Sequence, residues 1–129
     1  MNRSCILIPT ALLLVGAASQ AGAQAPATPD SATIEAAKRV LKSDLRNFVV
    51  AQESYFADHG TYARSLRGIL PVFKPTAGIT VVLLTASDTA HSEIALDPRV
   101  PGLVCAMYVG NVPPPLGTGE EGEVVCRDP

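Results

Sequence analysis

An α+β fold, with one long N-terminal amphipathic helix packed on a four-stranded antiparallel sheet, is predicted by three features of this sequence. Apolar residues recur at spacings of three and four through residues 33–59. Beyond Gly78 the pattern changes to short β-branched or alternating runs separated by turn-forming residues. Two cysteines, Cys105 and Cys126, fall on the last two of those runs and predict one C-terminal disulfide.

The helical segment comes first. Ile34, Ala37, Leu41, Leu45, Phe48, Gln52, Tyr55 and Phe56 share one stripe at 100° per residue, the pattern of a helix laid against a core. At a rise of 1.5 Å per residue such a helix is about 40 Å long. A domain of roughly a hundred residues has a radius of gyration of only about 13 Å, so the helix should run the length of the fold. Asp30 or Ser31 can cap its start, and Glu35 suits its first turn. Gly60 suits a left-handed stop, and His59 favours the negative end of the helix dipole. Gln52 is the polar member of the stripe and should hydrogen-bond backbone where helix meets sheet, because a buried amide needs partners.

Residues 61–76 read as an irregular connection, broken by Pro71 and Pro75, with Leu66, Ile69, Leu70 and Phe73 folded back onto the core. Strands are expected over residues 79–86, 91–97, 103–109 and 123–126. In the first, Ile79, Val81 and Leu83 share the inward face. In the second, Ile94 and Leu96 should point inward and His91, Glu93 and Asp97 outward. Short turns between consecutive strands favour an antiparallel meander.

The N-terminus predicts export. Arg3, an apolar run over residues 5–18 and the small residues Ala21-Gly22-Ala23 read as a secretory signal cleaved after residue 23. That apolar run is shorter than the roughly 20 residues that span a bilayer. The expected organisation is therefore a signal over residues 1–23, a flexible linker over 24–32 and one domain over 33–129. Contact with a membrane is then transient, through the signal alone. Cys5 leaves with the signal, and an even pair in an oxidising compartment is most simply a disulfide. Without Arg3, nine basic and twelve acidic side chains remain, and that mild acidity argues against nucleic acid as a partner.

Few residues offer chemistry. His59 and His91 are the only imidazoles, and each is better explained by position, at a helix end and on an exposed strand face. No Gly-x-Ser-x-Gly elbow singles out a serine nucleophile. No catalytic residue or cofactor is expected, and the chain reads as a non-enzyme. Asp88, Asp97, Glu120, Glu121, Glu123 and Asp128 are hard oxygen ligands in loops, but their spacing matches no EF-hand, so calcium stays a minor alternative. Lys38, Arg39, Lys42 and Arg46 lie within about 100° of arc on the flank of the helix. Such a stripe is ordinarily a solvated face, and its sharper reading is a docking surface for an acidic partner or lipid headgroups.

The segments Leu45-Arg46-Asn47, Ala51-Gln52-Glu53-Ser54-Tyr55-Phe56 and His59-Gly60-Thr61-Tyr62-Ala63, followed by strands and a late cysteine pair, resemble the globular part of type IV pilins and type II secretion pseudopilins. The resemblance implies a pilin-like fold and a non-enzymatic module acting through protein–protein contacts, as an accessory to a pilus or secretion system. The chain departs from that family in lacking its prepilin peptidase site and the apolar helix that follows it. The resemblance therefore implies the fold rather than filament assembly through packed apolar helices. Two alternatives stand beside it: a membrane-tethered minor subunit that keeps its N-terminus, and a small secreted ligand-binding or inhibitor domain.

Overall fold

The computed structural model describes residues 27–129. The expected signal and the first residues of the expected linker lie outside the described residues. Helix α1, Ser31–His59, is followed by a one-turn helix α2, Leu66–Ile69, and by strands β1, Thr80–Ala86, β2, His91–Leu96, β3, Val104–Val109, and β4, Val125–Arg127. The four strands form one antiparallel sheet in the order β1-β2-β3-β4, the predicted meander. Helix α1 lies across β2 and β3. The one-turn α2 falls where an irregular connection was expected, and β4 sits slightly later than predicted.

Local chemistry accounts for the ends of α1. Oδ1 of Asp30 accepts from the backbone N–H of Thr33 at 2.7 Å, so Asp30 caps and Ser31 is already helical. Gly60 takes φ 71°, a left-handed position that favours glycine, and its N–H closes the last turn onto the carbonyl of Phe56. Leu41, Leu45 and Phe48 are fully buried beneath α1. Ile69 and Phe73 of the connection complete that core, and the Phe48 and Phe73 rings meet edge to face with centroids 5.3 Å apart. Leu70 departs from expectation: it is 55% exposed.

Two buried polar groups tie the connection to α1. Gln52 behaves as its position predicts. Its Nε2 donates to the carbonyl of Ala63 at 3.1 Å, and the Ala63 N–H donates to its Oε1 at 2.8 Å. Asp44 accepts from the backbone N–H and the hydroxyl of Thr76 at 2.9 and 2.8 Å. At the far end, Cys105 and Cys126 face each other across β3 and β4 and are bonded, as predicted.

The facing of β2 is inverted relative to expectation. His91, Glu93, Ala95 and Asp97 are buried, whereas Ile94 and Leu96 are only partly buried on the opposite face. The cause is a β-bulge in the neighbouring strand. Ala86 pairs with His91 and Thr85 with Ser92, but the next pair is Leu83 with Glu93, so Leu84 is an extra residue. Without it, continued register would set Leu83 opposite Ile94 and Val81 opposite Leu96. One inserted residue therefore exchanges the faces of β2 relative to β1, because side chains alternate with period two.

Candidate functional site

Three features of the described residues could carry function: a buried polar pair, the outer face of α1, and a shallow slot beside that face. The bulge creates the first. It turns His91 and Glu93 toward α1, where both side chains are 0% exposed. Nδ1 of His91 lies 2.8 Å from Oε2 of Glu93, a hydrogen bond whichever partner carries the proton. Nε2 of His91 and Oε1 of Glu93 are buried without a hydrogen-bond partner among the described residues. Around the imidazole stand Tyr62, edge-on with its centroid at 4.5 Å, and Phe48 at 6.2 Å.

Burial pushes the Glu93 carboxyl up, and the hydrogen bond and charge of His91 pull it back. The Tyr62 phenol donates to Oε1 of Glu53 at 2.8 Å. Desolvation, followed by that acidic partner, raises its pKa to about 12. With both members sealed from solvent, the pair can hold or exchange a proton inside the core but offers no surface to a substrate. The sequence pattern missed this pair because Ile94 and Leu96 suggested the opposite facing. The available clue was the run Val81-Val82-Leu83-Leu84, which is apolar on both faces and so leaves the register of that strand weakly specified.

His59 sits where it was expected. It is exposed at the end of α1, its Nδ1–H donating to the Tyr55 carbonyl at 2.9 Å and its ring stacked on Tyr55 at 3.9 Å. It is remote in role from His91, and the structure does not bring the two imidazoles together.

The basic stripe is partly dismantled by tertiary contacts. Nζ of Lys38 is held between Glu35 at 2.8 Å and Asp128 at 2.7 Å, and those carboxylates raise its pKa, Asp128 first. Arg39, Lys42 and Arg46 form no ion pair among the described residues, and Arg39 and Arg46 are exposed. Val50, one turn beyond Arg46, is 68% exposed. Beside it a slot of about 320 Å³ runs between α1 and the connection, lined by Asn47, Val50, Ser54, Val72 and Lys74 over Phe73 and Ala51. Val72 is 66% exposed, so the slot joins two uncovered aliphatic side chains to the Lys74 ammonium, which forms no ion pair among the described residues.

The loop carboxylates do not converge. Asp88 accepts from Thr61 and Arg64, Asp97 from Arg99 in a bidentate pair, and Asp128 from Lys38. Glu121 accepts from the N–H of Gly110, and Glu123 from that of Glu120. Among the described residues no three His, Cys, Asp or Glu side chains stand close enough together to hold a metal ion. Nor is any described helix long and apolar enough to cross a membrane.

No protein-family model matches the chain, and no curated protein matches it.

Proposed function

We propose that this chain is an exported, non-enzymatic module of pilin-like kind that works by protein–protein contact through the outer face of α1. The observation that carries the reading is the juxtaposition on that face of Arg39, Lys42 and Arg46 with the uncovered Val50 and the slot beside it. A protein segment carrying an aliphatic side chain next to carboxylates matches this surface, since the apolar contact supplies area and the cations supply orientation. Export is supported by the disulfide, which belongs in an oxidising compartment. The polar pair in the core is sealed, which is consistent with a surface that binds rather than a pocket that transforms.

The test places a photo-crosslinking residue at Val50 in the secreting cell. A discrete adduct with another protein is expected. It should disappear when Arg39, Lys42 and Arg46 are together changed to Glu, with export and the melting curve unchanged. An adduct indifferent to the charge reversal, or crosslinks to lipid alone, would rule out the acidic protein partner. The mass of the released protein separates cleavage after residue 23 from a retained N-terminus.

A further inference from the structure

The two edges of the sheet are unequally protected. Strand β4 is three residues long, carries Arg127 and is followed by Asp128 and Pro129, features that discourage further pairing. Strand β1 is seven residues, Thr-Val-Val-Leu-Leu-Thr-Ala, without a charge or a proline. Uncharged, β-branched edges of this length are templates for added strands.

The phase of the ladder shows which backbone groups β1 offers. The Cα atoms of Cys105 and Cys126 are 4.0 Å apart, the close spacing of a non-hydrogen-bonded antiparallel pair. Alternating from there, Cys105 exchanges bonds with Ala95, and Val81 opposite Ala95 turns its N–H and C=O away from β2. The bond from Ser87 N–H to the Ala90 carbonyl, which closes the β1–β2 turn, gives the same phase from the other end. Val81 and Leu83 therefore direct their N–H and C=O groups to the open edge, and no described residue hydrogen-bonds them there.

We propose that β1 pairs antiparallel with β1 of a second copy about a two-fold axis, joining two four-stranded sheets into one of eight. A second copy fits because the strand matches itself. Each copy brings outward donors and acceptors at Val81 and Leu83, and again at Ala86 opposite His91. No charge on the strand meets its own image. Asp88, the acid nearest the strand end, is already held by Arg64. On the outer face Val82, Ile94, Ala106 and Val125 form one cross-strand row, which pairing would continue into the second copy. This edge is distinct from the α1 face, so the pairing holds whether or not that face has a partner.

Sedimentation of the protein recovered from expression of the full sequence should show a concentration-dependent rise from monomer to twice its mass. The amides of Val81 and Leu83 should become protected from hydrogen exchange in step with it. Thr80 and Thr85 are exposed, and changing both to Lys, or both to Glu, sets like charges across the two-fold in any antiparallel register. Each variant should remain monomeric, and an equimolar mixture should regain the doubled mass. That rescue also shows both variants to be folded. A protein that stays monomeric throughout, variants that dimerise as well as the parent, or a dimer without protection at those two amides would each overturn the proposal.

Discussion

Replacing Glu93 with Met tests whether the buried His–Glu pair organises the core. The substitution keeps an unbranched side chain of similar length and removes the one hydrogen-bond partner that the His91 ring has among the described residues. Both ring nitrogens would then be buried without a hydrogen bond, since Nε2 already lacks one. Leaving one more buried polar atom without a hydrogen bond costs about 1–3 kcal/mol, above the loss from a typical exposed pair. That is a substantial share of the roughly 5–15 kcal/mol that holds a domain of this size folded, and at about 4–8 °C per kcal/mol it corresponds to a fall of roughly 4–24 °C in melting temperature. Replacing His91 with Leu in the same protein should restore most of the loss, because a buried pair exchanged for apolar groups is often neutral or better. Urea unfolding of the disulfide-intact protein measures both, with an unchanged m-value as the check on two-state behaviour. A single variant losing less than about 1 kcal/mol, or a double variant worse than the single, would refute the reasoning.

The pH profile of the same unfolding is a second arm of that test. Because burial raises the folded pKa of Glu93, its contribution is fully present below the unfolded value and is lost as pH rises through the folded one. Asp97 runs the other way. The Arg99 guanidinium holds its carboxyl low, so its contribution is present above the unfolded value and lost as pH falls through the folded one. Acidification from neutral should therefore first raise stability and then lower it, and Glu93→Met should abolish the rise. A wild-type curve falling steadily from neutral pH contradicts this.

Two further perturbations bear on the frame around the pair. Gln52→Ala should cost about 2–6 kcal/mol, because the N–H and C=O of buried Ala63 both lose their partner at about 1–3 kcal/mol each; calorimetry showing a change under 1 kcal/mol would contradict that. Reducing the bond between Cys105 and Cys126, 21 residues apart, should lower stability by about 3 kcal/mol on the chain-entropy account. Alkylation of the native protein before reduction should find neither thiol, and a labelled cysteine there would count against the bridge.

Periodicity and capping are local properties, and where they decided the outcome the sequence was legible. The buried stripe of Leu41, Leu45 and Phe48, the Asp30 cap and the Gly60 stop all follow from residues within a few positions of one another. Gln52 was legible for a related reason: an amide on an apolar stripe must find partners, and backbone at the helix end is the nearest supply. Lys38 was not. Alternation of charge along a helix says nothing about a carboxylate 90 residues away, and Asp128 takes Lys38 out of the basic face once the C-terminus returns beside α1.

Local rules acting on the chain by itself settled the helix, the meander and the cysteine pair. Which side of β2 meets the helix was a matter for the assembled sheet. Strand alternation leaves that choice open, and the register of a neighbouring strand makes it. One extra residue at Leu84 moved a histidine and a glutamate inward and two aliphatic residues outward. A bulge is a property of a pair of strands, so no reading of β2 alone contains it.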